Sequence, residues 1–473
     1  MKENSIPYLK TDNKTINHAF RIAVGDLAGN ISLFKDGLLE KEVPVILAGL
    51  DYDTPWTRDA AFNVWNGAGV LSPEVSRNTL LSVLKKENGK TLIGGQYWDA
   101  IIWTIGAWSL YLYTGDREFL KTAFEAVANS LEFFEDSEFD SGLGLFRGAA
   151  CYGDGISAYP DVYSRTTGTG CILDWVAANP DKSAVKGYGI PMHSLSTNCL
   201  YYKAYVVANL MAKELGSNEY PAYLEKAEAL KCSINENFWD EEMGNYKYLV
   251  DPLGDCDHQE GLGSSFAILF GIADEVKREK IFRNQHVNPA GIPCVWPTFK
   301  RYETPDGMSF GRHSGTVWPH IQAFWAHASA MHGEVELFAS ELYKMAEHAV
   351  KDEQFLEIYH PLTEERYGGK QEYIDYKSCG RQTWCATGFI RLILMGLLGM
   401  RFSTGGISFK PVIPRGISEV RLENLSYRDM VLNISIKGQG TSIKRFMVNG
   451  LEMQDCIIRS GENGIKEIQI DLA

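Results

Sequence analysis

A glutamate between aromatic residues is the part of this sequence best suited to chemistry. Glu357 lies in the segment 354–363 (QFLEIYHPLT), and a glycine pair at 368–369 follows it. A carboxylate among aromatic side chains, on a loop that a rigid scaffold positions, can remove a proton from a water molecule. We therefore predict a general base of the kind used in glycoside hydrolysis. The alternative is a surface glutamate in a salt bridge.

Composition excludes several classes of partner. The chain has 473 residues, 45% of them hydrophobic, which is enough for one large architecture or for two or three domains. Its 46 Lys and Arg residues are outnumbered by 60 Asp and Glu residues, so nucleic acid is not an expected partner. The N-terminus is polar, and no segment has the length of a membrane span, so we expect a cytoplasmic protein with no membrane partner.

Cofactor and metal sites are not predicted. The nine cysteines are scattered and form no CxxC pair, which favours free thiols over a disulfide framework or a zinc cluster. No HxxxH motif or cluster of carboxylates indicates another metal. The sequence leaves the oligomeric state open.

Helical periodicity extends to about residue 400. Apolar residues recur at three- and four-residue spacing, and breakers such as Gly115 and Gly216 separate the segments. The predicted helices are 14–27, 57–70, 73–86, 98–114, 117–136, 192–216, 221–238, 261–270, 275–286, 316–332, 334–351 and 382–398. Twelve helices arranged as six hairpins are typical of an (α/α)6 barrel, the six-hairpin toroid; an irregular α-solenoid is the alternative.

Two further features complete the predicted organisation. Three connections, 28–56, 137–191 and 352–381, are long, and long connections in a compact domain are usually functional. After Met400 the pattern changes to short alternating segments such as 432–436 (LNISI), which predict antiparallel strands. We therefore predict a mainly α protein with an (α/α)6-barrel domain at 1–400 and a small antiparallel β-sandwich at 401–473.

Five short segments carry a family resemblance. They are 52–59 (YDTPWTRD), 94–99 (GGQYWD), 238–246 (FWDEEMGNY), 315–319 (GTVWP) and 382–386 (QTWCA). In this order, on twelve helices with a β tail, they resemble the six-hairpin glycosidases. That superfamily includes trehalases, processing α-glucosidases and α-rhamnosidases.

The resemblance implies two catalytic carboxyl groups. The base lies between the eleventh and twelfth helices, where Glu357 falls, and 355–363 is similar to the family pattern F-x-E-x-Y-D-P-x-T-G. The sequence departs from that pattern at His360 and at Glu364. The acid lies between the fifth and sixth helices, in 137–191.

That connection contains several aspartates, and we select Asp154. It follows a stretch of small residues that lets the chain approach a ligand closely, although the family pattern E-S-G-x-D is only half kept there. Asp161 is the second choice. The alternative is that Asp154 only stabilises a glycine-rich turn. The remaining aspartates of the connection are Asp140, Asp174 and Asp181.

The family segments also suggest residues that bind sugar by hydrogen bonding or stacking. The first group is Trp56, Arg58, Asp59, Gln96, Trp98 and Asp99, and the second group is Arg312, His313, Trp318, Arg381 and Trp384. Arg58 and Asp59 could instead form a structural ion pair at a helix N-terminus.

The predicted function is an inverting, exo-acting glycoside hydrolase for an α-linked glycoside or oligosaccharide. Inversion requires a spacing of roughly 6.5–9.5 Å between the two carboxyl groups. A disaccharide phosphorylase is one alternative, with Arg312, His313 and Arg381 as its phosphate-binding cluster. A non-catalytic carbohydrate-binding protein is the other.

Overall fold

Helices dominate the chain up to residue 397 in the computed structural model, which describes residues 6–164, 168, 170–218 and 220–473. They are α1 (Lys14–Gly29), α2 (Thr57–Asn63), α3 (Gly69–Leu71), α4 (Pro73–Ser82), α5 (Tyr97–Ala100), α6 (Trp103–Thr114), α7 (Arg117–Glu138), α8 (Ile172–Ala178), α9 (Leu195–Leu215), α10 (Tyr220–Phe238), α11 (Gly261–Leu269), α12 (Glu275–Asn284), α13 (Pro319–His332), α14 (Val335–Asp352) and α15 (Thr383–Arg391). Two π-helical turns, Val64–Ala68 and Leu392–Leu397, extend α2 and α15.

Six helices of the described chain form a closed inner ring. In ring order they are α2, α6, α9, α11, α13 and α15, each packed against the next, and α15 packs back against α2. Inner helices such as α6 and α15 are buried almost all round, as a helix surrounded by other helices must be. The outer helices α1, α4, α7, α10, α12 and α14 each bury one face. The predicted (α/α)6 barrel is confirmed.

The outer helix α7 illustrates how the sequence specifies this arrangement. Its buried residues recur at three- and four-residue spacing, as in Phe119, Ala123 and Val127. Asp116 caps its first turn by accepting a hydrogen bond from the backbone N–H of Phe119 at 2.9 Å. Gly115, with φ of 73°, ends the preceding helix α6 in the left-handed region, which glycine adopts without strain.

The prediction of helix as far as residue 86 is wrong. The fourth helix ends at Ser82, and Leu84–Glu87 pairs with Lys90–Ile93 as an antiparallel hairpin. Asn88 and Gly89 form its turn with φ of 50° and 79°. Asn-Gly is the favoured pair for a two-residue hairpin turn, because both positions need positive φ.

The strands are β1 (Tyr8–Thr11), β2 (Ile31–Phe34), β3 (Val43–Ile46), β4 (Leu84–Glu87), β5 (Lys90–Ile93), β6 (Phe139–Asp140), β7 (Leu145–Phe146), β8 (His193–Ser194), β9 (Trp239–Asp240), β10 (Asn245–Tyr246), β11 (Leu249–Val250), β12 (Gln259–Glu260), β13 (Val295–Trp296), β14 (Lys370–Gln371), β15 (Ile374–Asp375), β16 (Met400–Ser403), β17 (Gly406–Phe409), β18 (Glu419–Tyr427), β19 (Met430–Lys437), β20 (Ile443–Val448), β21 (Leu451–Glu452), β22 (Ile457–Arg459) and β23 (Gly464–Leu472). Those before β16, except β1, form two-stranded hairpins or pairs in the barrel connections.

The C-terminal strands form two facing sheets. One has six strands in the order β1–β18–β19–β23–β20–β21, and the other has three in the order β16–β17–β22. Phe402 and Phe409 of the smaller sheet contact Tyr427 and Phe446 of the larger one, with ring centroids 5.8 and 5.6 Å apart. The sheets therefore share a core.

Two details of the β region differ from the sequence-based prediction. The pair β19–β23 is parallel, so the region is not purely antiparallel. The larger sheet also includes β1 from the N-terminus, which pairs with β18. The boundary at residue 400 stays a prediction. Within the described residues, no helix combines the length and the apolar character needed to cross a membrane.

Candidate active site

The N-terminal ends of several inner helices surround a cavity of about 190 Å³. Its walls come from the starts of α2, α13 and α15 and from the connections that contain residues 152–154, 312–313 and 357–376. The lining residues are Tyr52, Trp56, Arg58, Asp59, Tyr152, Asp154, Arg312, His313, Trp318, Glu357, Gln371, Tyr376, Gln382 and Trp384.

Glu357 is held firmly at this cavity. Its side chain is buried, and Oε2 accepts hydrogen bonds from Arg312 Nη2 at 2.6 Å and from the backbone N–H of Cys379 at 3.2 Å. Arg312 is itself fixed, because its Nη1 donates to the carbonyl of Gly368 at 3.0 Å. Oε1 has no hydrogen-bond partner among the described residues. The carboxylate is thus anchored through one oxygen and can accept a hydrogen bond through the other.

Among the described residues of the 137–191 connection, Asp154 is the acidic residue that lines the cavity. Its side chain is half-buried and has no hydrogen-bond partner among the described residues. Asp161, the second choice, lies outside the cavity and pairs with Arg301 at 2.8 Å. Asp140 also lies outside, 3.4 Å from Arg147. The structure therefore brings Asp154, and not Asp161, to the same cavity as Glu357.

Arg58 and Asp59 place buried charge beside these carboxylates. Arg58 Nη1 donates to Asp99 Oδ2 at 2.8 Å, so the ion pair is Arg58–Asp99 and not Arg58–Asp59. Burial raises the pKa of Asp59 to about 7; Arg58 opposes this shift, while the charges of Glu357 and Asp154 add to it. Asp59 Oδ1 and Arg58 Nε are buried without hydrogen-bond partners among the described residues. Both residues line the cavity, so their other polar atoms are the ones that a ligand hydroxyl can reach.

The raised pKa of Asp59 predicts a specific effect on stability. Between pH 3.8 and about 7 the folded state keeps a proton that the unfolded state releases, so this carboxyl makes stability fall as pH rises. We expect Asp59→Asn to abolish that contribution, so that the variant gains Tm relative to the parent between pH 4 and pH 8. The exposed Asp161→Asn substitution is the control. Parallel Tm curves for Asp59→Asn and the parent would contradict the shift.

Aromatic rings form the rest of the wall. Trp318 and Trp384 are buried and contact each other edge to face, with centroids 5.8 Å apart, while Trp56 is 40% exposed at the rim. His313 stacks on Trp318 at 4.9 Å. Burial, and the charges of Arg312 and Arg58, lower the pKa of His313 well below its usual range, so it is neutral.

Four residues predicted to bind sugar do not line this cavity: Gln96, Trp98, Asp99 and Arg381. Trp98 is fully buried because α5 directs it into the core, where its backbone carbonyl accepts from Thr197 at 3.1 Å. Asp99 contributes indirectly, through Arg58. Arg381 is half-exposed and lies 3.7 Å from Asp26. The expectation that Trp98 shares a pocket with Arg58, Asp154 and Glu357 is wrong.

The sequence reasoning also missed several lining residues. Tyr52 and Gln382 belong to the same segments as Trp56 and Trp384, so those segments could have suggested them. Gln371 and Tyr376 come from the hairpin of β14 and β15, which has no motif of its own. Within the described part of the chain, no group of three His, Cys, Asp or Glu side chains could hold a metal ion.

Comparison with protein families identifies the chain. The family described as the mannosylglycerate hydrolase MGH1-like glycoside hydrolase domain matches residues 52–374. The chain belongs to this glycoside hydrolase family. Residues 400–452 match a second family, the C-terminal domain of glycosyl hydrolase family 65. These matches confirm the predicted resemblance to six-hairpin glycosidases. No curated protein sequence matches the chain.

Solved structures share the fold at low sequence identity. A protein described as a sialidase has a TM-score of 0.68 and 14% identity, over 94% of this chain and 40% of its own. The GH63 mannosylglycerate hydrolase from Thermus thermophilus, in complex with glucose, has a TM-score of 0.60 and 15% identity, over 78% of this chain and 98% of the hydrolase. The GH78 rhamnosidase of Bacillus sp. GL1 has a TM-score of 0.61 and 12% identity, over 99% of this chain and 44% of the rhamnosidase. The chain therefore spans less than half of the length of the sialidase and less than half of the length of the rhamnosidase.

Proposed function

We propose that the protein is an inverting, exo-acting glycoside hydrolase for an α-linked glycoside, with Glu357 as general base and Asp154 as general acid. The observation that supports this most directly is that both carboxyl groups line one small cavity among aromatic rings. Inversion needs one carboxyl group to protonate the leaving oxygen and another to activate a water. The family membership supports hydrolysis as the reaction.

Glu357 is suited to the role of base. Arg312 and the Cys379 N–H hold Oε2, so Oε1 remains to accept a hydrogen bond from the attacking water. As the water attacks the anomeric carbon, its proton passes to Oε1. Fixing the carboxylate beforehand lowers the entropic cost of aligning water and sugar.

Asp154 is suited to the role of acid. Its side chain has no hydrogen-bond partner among the described residues, so it can contact a leaving-group oxygen. Its partial exposure lets it recover a proton from solvent after each turnover. We expect the two carboxyl groups to lie roughly 6.5–9.5 Å apart when substrate is bound, because a water must fit beside the anomeric carbon.

The cavity size and its polar lining residues support exo action on a single sugar ring. About 190 Å³ is below the roughly 300–1,000 Å³ of pockets that enclose larger ligands. Arg58 and Asp59 line the cavity and can bind sugar hydroxyls, and the exposed face of Trp56 can stack on a sugar at the rim. The carbohydrate is therefore the proposed partner.

Phosphorolysis fits the cavity less well. The three residues of the predicted phosphate cluster do not form one. Arg312 is engaged by Glu357, His313 is neutral, and Arg381 lies outside the cavity beside Asp26. Adding phosphate to the assay should therefore leave the rate unchanged. The same assay tests the non-catalytic alternative, which predicts binding without turnover.

The stereochemistry of the product tests the mechanism. We expect NMR spectra recorded within the first turnovers to show the β anomer released from an α-glycoside, because water attacks from the face opposite the leaving group. The substrate panel begins with mannosylglycerate, the compound named in the family description, and continues with aryl α- and β-glycosides. Initial release of the α anomer from an α-glycoside would refute inversion.

A further inference from the structure

A second cavity, of about 430 Å³, lies at the opposite end of the barrel from the candidate active site. There the C-terminal parts of α6, α9, α11 and α13 meet the segment that leads into β16. Trp65, Phe270, Met331 and Met395 form part of its apolar wall. Its volume is within the range of pockets that bind small organic molecules, roughly 300–1,000 Å³.

The charges in this cavity are all positive. Lys203, Arg391 and Arg401 line it, and no Asp or Glu is among its lining residues in the described chain. The whole chain has a net charge of −14, with 60 acidic residues, so a pocket with three cations and no carboxylate departs from the average surface. Cations in an apolar site are costly unless an anion or another polar partner compensates them.

Arg391 is the most deeply buried of the three cations, with 1% of its surface exposed. Its guanidinium lies against the rings of Trp65 and Phe324, 4.1 and 4.5 Å from their centroids, and these two rings also contact each other at 4.9 Å. Its hydrogen-bond partners are neutral: His327 Nδ1 at 2.8 Å and Asn66 Oδ1 at 3.2 Å. Burial without a carboxylate lowers the pKa of Arg391 to about 9.

Lys203 is the cation with the fewest partners. Its Nζ lies 5.5 Å from the ring centroid of Phe270 and has no hydrogen-bond acceptor among the described residues. Burial lowers the pKa of Lys203. An ammonium group has three N–H donors, and because Lys203 is only half-buried, water or a ligand that enters the cavity can supply the acceptors.

The cavity is open to solvent on the side where Arg401 lies. Arg401 donates to the carbonyl of Met331 at 3.3 Å, a contact typical of a cation at a helix C-terminus. That contact gives Arg401 a hydrogen-bond acceptor within the protein, whereas Lys203 has none among the described residues. Arg401, Thr404 and Leu210 are exposed, so a ligand can enter between α9 and β16.

We propose that this cavity is a binding site for a small organic carboxylate with an aromatic or aliphatic body. The carboxylate would accept hydrogen bonds from Lys203 and be attracted by Arg391 and Arg401, while its body would pack against Trp65, Phe270 and the methionines. Methionine side chains adapt to irregular ligand shapes, which suits such an apolar wall. This site is separate from the cavity that contains Asp154 and Glu357.

Calorimetric titration of the full chain with two matched probes tests the site. The probes are 3-phenylpropanoate and its neutral amide, 3-phenylpropanamide, which differ mainly in charge. We expect the carboxylate to bind roughly tenfold more tightly than the amide or better, because hydrogen bonds to charged groups are the stronger ones. We expect Lys203→Met to lower carboxylate affinity toward that of the amide, with Arg391 and Arg401 retaining part of the difference, and to leave amide binding unchanged.

A control on the same helix separates local from general charge effects. Lys213→Met removes a cation from an exposed position of α9 and should leave both affinities unchanged. Equal binding of the two probes would overturn the proposal, as would full carboxylate affinity in Lys203→Met. Failure of the carboxylate to bind with a Kd below about 1 mM would do the same.

Discussion

Replacing Glu357 by Gln should lower kcat by roughly 10²–10⁴-fold, the contribution of a general base. This corresponds to about 3–5 kcal/mol of lost transition-state stabilisation. Gln has nearly the same shape as Glu and can still accept from Arg312 and Cys379, but its amide cannot take a proton from water. Initial rates on the best substrate of the panel measure the effect, and KM should change much less than kcat.

The matched control for this variant is Glu365→Gln. It makes the same chemical change nearby, at an exposed residue paired with Lys351 at 2.8 Å. We expect it to keep full activity. We also expect the circular dichroism spectrum of Glu357→Gln to match that of the parent, because Arg312 keeps its bond to the carbonyl of Gly368. Full activity in Glu357→Gln, or loss of its fold, would assign Glu357 a structural role.

Replacing Asp154 by Asn should produce a loss that depends on the leaving group. An acid protonates the departing oxygen, so its removal matters most for poor leaving groups such as alkoxides. We expect a fall in kcat of roughly 10²–10⁴-fold for an alkyl glycoside. For a dinitrophenyl glycoside, whose leaving group departs without a proton, we expect little change. The measurement is the ratio of the rate on the alkyl glycoside to the rate on the dinitrophenyl glycoside, compared between the parent and the variant.

Asp161→Asn is the control for this assignment, since Asp161 is in the same connection but pairs with Arg301 outside the cavity. It should not alter the leaving-group dependence. If Asp161→Asn shows the leaving-group effect and Asp154→Asn does not, the acid is misassigned while the role of Glu357 is untouched. Equal losses on both substrates in Asp154→Asn would indicate that Asp154 positions the sugar instead of donating a proton.

Local sequence was sufficient for most of the barrel. Each of the twelve predicted helices has a counterpart, because apolar periodicity and end signals such as Asp116 act within a few residues. The hairpin of β4 and β5 was missed although Asn88-Gly89 signals it. Its strands follow a Pro-initiated helix directly, so the helical period was extended too far. Its turn residues were the more reliable evidence.

The contribution of β1 to the C-terminal sheet shows what local patterns cannot reveal. Tyr8–Thr11 pairs with residues more than four hundred positions away in the chain. Alternating buried and exposed residues over four positions indicate a strand, but they do not indicate which strand it pairs with. The parallel pairing of β19 with β23 likewise depends on how the sheet closes, since alternation is the same for either direction.

For the candidate site, the sequence by itself determined which carboxylate has an aromatic surrounding and which connections are long enough to reach a ligand. Only the tertiary structure decided that Asp154 reaches the cavity and Asp161 does not, and that Trp98 is part of the core. It also paired Glu357 with Arg312, 45 residues away, and Arg58 with Asp99, 41 residues away. The reason is physical: residue type and spacing set what a side chain can do, whereas closure of the helical ring sets which side chains meet.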